Sequence, residues 1–128
     1  MALSKLNNDS FDDTAVHGRR NLLINGAMQV AQRSTSVTGI TGADYHTMDR
    51  WKIDLSNLGT WSFSQSSTAP DGFANSYKLD CTTADASPAA GDYLILQQRF
   101  EGQNLQMLKK GTSAAESVTV SFSIRSSV

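Results

Sequence analysis

Period-two alternation of apolar and polar residues recurs along most of this chain, and nothing else in it constrains the fold as strongly. Trp51, Ile53 and Leu55 alternate with Arg50, Lys52 and Asp54, and Trp61 and Phe63 alternate with Ser and Thr. Tyr77, Leu79 and Cys81 share one side of a further run, and Val118, Val120, Phe122 and Ile124 alternate strictly with Thr119, Ser121 and Ser123. Successive side chains of a strand point to opposite faces, so each run predicts a half-buried strand. Tyr93, Leu94, Ile95 and Leu96 are apolar on both faces, which predicts a central strand.

The breaks between these runs carry turn chemistry. Asn25-Gly26 follows Leu22, Leu23 and Ile24 and precedes Met28 and Val30, which reads as strand, turn or bulge, strand. Ser34 to Gly42 has the composition of a loop. Asn57-Leu58-Gly59 is short enough to join residues 51–55 and 60–66 into an antiparallel hairpin, and Pro70-Asp71-Gly72 marks another turn. Residues 82–92 form a surface loop by composition. One short helix is expected at 104–110, with Asn104 as cap, Leu105 and Leu108 on one face, two lysines at the end and Gly111 closing it. The expected core is Trp51, Ile53, Leu55, Phe63, Leu79, Leu96, Val120, Phe122 and Ile124.

Roughly six or seven short strands, uneven loops and one helical turn imply an all-β, jelly-roll β-sandwich preceded by an extended N-terminal arm. The arm is residues 1–18 and the jelly roll residues 19–128. Leu3 and Leu6 have helical spacing, but Asn7-Asn8-Asp9-Ser10 breaks a helix, and Phe11 and Val16 stand alone among polar residues. Such a segment is either a disordered tail or a docking arm anchored by Leu3, Leu6, Phe11 and Val16.

Charge and composition exclude several function classes. A net charge of −1 gives no overall attraction to a polyanion, and the 11 basic residues are scattered, so no nucleic-acid partner is expected. No apolar run approaches the roughly 18 residues of a membrane span, and the first residues lack the blocks of a signal peptide, so neither membrane insertion nor export by that route is expected. Cys81 is the single cysteine and reads as a small buried hydrophobe; His17 and His46 are too far apart to suggest a ligand pair. No metal or cofactor site is expected. Nor is catalysis: Asp49, Asp54, Asp80, Asp92 and Glu101 show no spacing that selects a carboxylate pair, and no nucleophile elbow or phosphate-binding glycine loop accompanies them.

Four blocks carry a resemblance. Arg20-Asn21-Leu22-Leu23-Ile24-Asn25-Gly26-Ala27-Met28-Gln29-Val30-Ala31-Gln32-Arg33 comes first, then Tyr45 with Asp49-Arg50-Trp51, then Gln97-Gln98-Arg99-Phe100-Glu101-Gly102 with Leu105, and last the run 118–126. Together they resemble a domain of tailed-phage virion proteins, chiefly tail-fibre and related appendage proteins of marine phages. The layout is also similar to the jelly-roll carbohydrate-binding modules appended to glycoside hydrolases. Residues 1–18 resemble the short N-terminal attachment segments of phage fibres, which favours docking to other virion proteins. The resemblance implies a non-enzymatic structural protein, made in the host cytoplasm and located in the virion, that forms a homo-oligomer, with a trimer as the usual state of fibres.

Related domains continue through further strands, so the jelly roll is expected to be incomplete at its C-terminal side, with more chain or a neighbouring subunit covering 118–124. Many related modules bind calcium through an acidic residue soon after the first Asn-Gly; Met28 and Gln29 stand there instead, and no calcium is expected. The alternative function is glycan binding, of a host surface glycan in the virion setting. Trp61, Tyr45 and Tyr93 would offer stacking faces, and Gln97, Asp49 and Asp92 would bond hydroxyls. For Trp51 and Trp61 a place in the core is the simpler assignment, because each shares the apolar side of its alternating run.

Overall fold

The computed structural model describes residues 21–127. The arm expected at 1–18, with its anchors Leu3, Leu6, Phe11 and Val16, lies outside the described residues. The structure is mostly β. Its strands are β1 (Ser36–Ile40), β2 (Lys52–Ser56), β3 (Thr60–Ser66), β4 (Ser76–Thr83) and β5 (Tyr93–Gln97), followed by a 3₁₀ helix, Gly102–Leu108. β1, β3 and β4 form one antiparallel sheet with β3 in the middle, and β2 and β5 form a second antiparallel pair.

Alternation places the core between these sheets. Phe63 lies opposite Val37 of β1 and Leu79 of β4, while Ile53 and Leu55 of β2 lie opposite Leu96 and Leu94 of β5. Ile53, Leu55 and Phe63 are buried as one cluster, and Val37, Ile40, Leu58, Trp61, Tyr77, Leu79 and Leu94 pack around it. The Phe63 ring also stacks on His46 at 5.4 Å between centroids. Met48 and Thr47 are fully buried beside these sheets.

β2 and β3 do not form the expected hairpin. The 57–59 turn carries the chain from one sheet to the other, so the two strands face each other across the core as an arch. Asn57 at φ 48° and Gly59 at φ 79° make that turn. Gly59 is irreplaceable by geometry as well as by φ: a Cβ there would strike the Thr83 carbonyl and come within 2.9 Å of the Asp85 nitrogen.

Other expectations need correction. Residues 22–24 and 28–30 form no strands but flank a turn, because Asn25 adopts φ 56° and its side chain captures the backbone that a strand partner would have used. The supposed loop 34–42 contains β1, whose Ser and Thr residues are held extended by the edge of β3; Gly39 at φ 73° sits where that pairing shifts register. β5 pairs only with β2 and is therefore an edge strand among the described residues, with Ile95 and Leu96 exposed.

The helix is 3₁₀ and starts earlier than expected, with Glu101 rather than Asn104 at its N-cap and Lys109 rather than Gly111 in the left-handed position that ends it. It buries no residue fully, so little packing favours the longer α form. Cys81 is exposed, since the cover over β4 reaches Tyr77 and Leu79 and stops short of it. Trp51 and Leu79 are only half-buried.

The largest difference is the run 118–124, which forms no strand. Val120, Phe122 and Ile124 are 77%, 80% and 84% exposed and take no part in the core. Alternation shows which face of a run could be buried, but a strand exists only where a neighbour supplies its hydrogen bonds, and no described strand does so here.

Candidate functional site

Two side chains, Asn25 and Gln98, tie three of the four resemblance blocks together. Asn25 Nδ2 donates to the carbonyls of Val30 at 2.8 Å and Asp49 at 3.1 Å, and its Oδ1 accepts the N–H groups of Gln29 at 2.9 Å and Val30 at 3.0 Å. The Trp51 indole donates to the Asn25 carbonyl at 3.1 Å. Gln98 then acts as a stand-in for a strand: its amide donates to the Ile24 carbonyl at 2.6 Å and accepts the Ile24 N–H at 2.8 Å. Gln65 of β3 adds bonds to the carbonyls of Met28 and Gln29. The loop 21–33 is thus fastened to residues 49–51 and to the chain after β5.

This fastening assembles a basic cleft of about 350 Å³ lined by Arg33, Tyr45, Arg50, Arg99, Phe100 and Glu101. Arg33 lies over the Tyr45 ring, 5.7 Å from its centroid, in cation–π contact. Arg50 occupies the third position of a turn closed by the Trp51 N–H on the Met48 carbonyl, at φ 72°, where glycine is the ordinary occupant. A bulky residue held there costs about 1 to 3 kcal/mol. Arg50 and Arg99 form no hydrogen bond or ion pair among the described residues. Three arginines therefore line the cleft with one acidic residue, Glu101, whose carboxylate accepts the Gln103 amide, in a chain whose overall charge is slightly negative. Arg50 and Phe100 also line a neighbouring cleft of about 280 Å³, whose other walls include Leu22, Ile24, Leu105 and Met107.

The expected glycan contacts are not gathered in one place. Tyr45 lines the basic cleft. Asp49 is committed to structure: its carboxylate accepts the Gln32 N–H at 3.3 Å, and its backbone bonds Val30 and Asn25. Gln97 donates to Asp54 at 3.0 Å, beside the Lys52–Asp54 ion pair. Asp92 accepts the Ala89 N–H within its own turn. Trp61 is half-buried against the core, with its indole donating to the Leu58 carbonyl at 2.7 Å. Tyr93 is exposed opposite Ser56, at the far end of the β2–β5 pair from Tyr45, whose neighbour Asp44 bridges to Ile53.

Arg33, Arg50, Arg99, Phe100 and Glu101 were not legible as site residues. Their one sequence signal is that each arginine lies in or at the end of a resemblance block. Elsewhere, burial pushes the Tyr77 phenol above its usual range, and the Thr47 hydroxyl draws it part of the way back, yet neither buried oxygen completes a hydrogen bond of normal geometry. Among the described residues no group of three or more His, Cys, Asp or Glu could hold a metal ion, and no helix is long and apolar enough to cross a membrane. No protein-family profile matches the chain, and neither a curated protein nor a solved structure matches it.

Proposed function

We propose that this chain is a non-enzymatic structural protein of a tailed-phage virion, a tail fibre or other appendage. In this reading residues 1–18 anchor it to other particle proteins, and a jelly-roll β-sandwich serves attachment or assembly contacts. The observation that carries the reading is the amount of large apolar surface facing outward: Tyr93, Ile95 and Leu96 on the β2–β5 pair, and Val120, Phe122 and Ile124 beyond the helix. Isolated soluble domains rarely expose this much, whereas subunits of an assembly bury it against other chains. A homo-oligomer, a trimer in the fibre case, follows from the same reading.

The test is to purify particles on a density gradient from a lysate in which the chain is produced and to identify proteins in the particle band by mass spectrometry. Peptides of this chain are expected in the band, and their confinement to the soluble fraction overturns the reading. A second reading, glycan binding, is favoured by the polar and aromatic cleft at Tyr45. The two are compatible, since attachment to a host surface is one use of a glycan site.

A further inference from the structure

We propose that the cleft between Arg33, Arg50 and Arg99 binds the carboxylate of an acidic sugar residue, such as a uronic acid in a surface polysaccharide. This rests on the glycan-binding reading above and adds to it the charge class of the ligand.

Three features of the cleft lead there. First, the arginines come from separate segments, one at the end of the Asn25 loop, one in the turn before β2 and one after β5. Convergence of three like charges opposes itself electrostatically, and a bound anion relieves that opposition. Second, Arg50 is kept in a left-handed turn position that glycine would occupy without strain, and Asn25 clamps the carbonyl just before it, so the strain is held by surrounding hydrogen bonds. Third, the guanidinium fork matches a carboxylate with two parallel N–H···O bonds, and Arg50 and Arg99 have these donors uncommitted among the described residues.

The remaining walls select among anions. Glu101 places a carboxylate in the same cleft, which repels a densely charged phosphate or nucleic acid but accepts bonds from sugar hydroxyls. Tyr45, half-buried with one face under Arg33, and Phe100 offer flat apolar surface for the C–H face of a sugar ring. A hydroxylated monoanion satisfies all of these at once. The chain's net charge of −1 likewise disfavours a nucleic-acid strand tracking its surface.

The test is titration calorimetry of the whole chain with tetragalacturonate. Fully methyl-esterified tetragalacturonate, inorganic phosphate, a single-stranded DNA oligomer and a peptide of residues 7–16 serve as competing probes. Saturable binding of the uronide is expected, weakened on the order of tenfold by esterification and by either Arg99→Gln or Arg50→Gly, and falling as salt rises. Arg50→Gly is informative because it removes the charge while relieving the backbone, so its melting temperature should hold or rise as binding is lost. Equal binding of the ester overturns the carboxylate assignment while leaving glycan binding standing. Tighter binding of phosphate, DNA or the peptide, or full binding by both arginine variants, overturns it outright. Absence of binding to either glycan removes the glycan reading with it, and the particle-band experiment is untouched.

Discussion

Replacing Gly59 with alanine probes the arch that joins the two sheets. The residue sits at φ 79°, and a methyl group there meets backbone on β4's far end, the Thr83 carbonyl and the nitrogen of Asp85, with no flexible side chain to swing aside. The left-handed conformation alone costs an L-residue about 1 to 2 kcal/mol. Moving the 83–85 backbone also disturbs the pairing of Thr60 with Thr83 and the bond from the Thr82 hydroxyl to the Thr60 carbonyl, each worth about 0.5 to 1.5 kcal/mol. Gly59→Ala should therefore lose about 2 to 4 kcal/mol, which for a domain of this size lowers Tm by about 10 to 25 °C. Gly39→Ala is the matched control, since Gly39 has φ 73° but nothing within 4 Å of its would-be Cβ. It should lose only the conformational part, about 1 to 2 kcal/mol. Thermal melts followed by circular dichroism compare the two, and equal losses would refute the packing of the 57–59 turn against the end of β4.

Asn25→Ala removes four side-chain hydrogen bonds and forces alanine to φ 56°, so denaturant unfolding should show a loss of about 2 to 4 kcal/mol. Phe63→Ala should cost about 3 to 5 kcal/mol, whereas Phe122→Ala should leave the unfolding midpoint of the isolated chain unchanged, because Phe63 is fully buried and Phe122 is 80% exposed. The phenol of Tyr77 is raised above its unfolded value of 10.0 by burial, so the folded state favours the neutral form. Stability from that preference is complete below pH 10 and is lost as pH climbs through the raised folded value; Tyr77→Phe should flatten this alkaline loss in a pH series of urea melts.

Much of the β content was legible because period two is a local property. Trp61, Phe63, Tyr77 and Leu79 declare their strands without knowledge of a partner, and Ile53 and Leu55 fall in the core as their alternation requires. What depends on partners was not legible. Ser36 to Ile40 looks like a loop until the edge of β3 holds it extended, and residues 118–124 look like a strand although no described edge receives them. Asn57-Leu58-Gly59 is short enough for a hairpin, yet backbone angles at Asn57 and Gly59 turn the chain across the core instead. The cleft was hidden for a related reason. Arg33, Arg50 and Arg99 each look like ordinary surface charge, and only the Asn25 and Gln98 bonds between distant segments bring them together.

The arch also fixes an order of events as the chain leaves the ribosome. Apart from the bridge of Ile53 to Asp44, β2 pairs among the described residues with β5, so Ile53 and Leu55 emerge early and wait for that ladder until Gln97 has been made. β1, β3 and β4 can pair as soon as Thr83 is available, which makes the three-stranded sheet a platform on which the later pair closes. Closure of so long a loop slows folding, and during the wait β2 is an open edge for other nascent copies. The same topology that encloses Phe63 thus sets a window in which crowded synthesis favours contacts between chains over contacts within one.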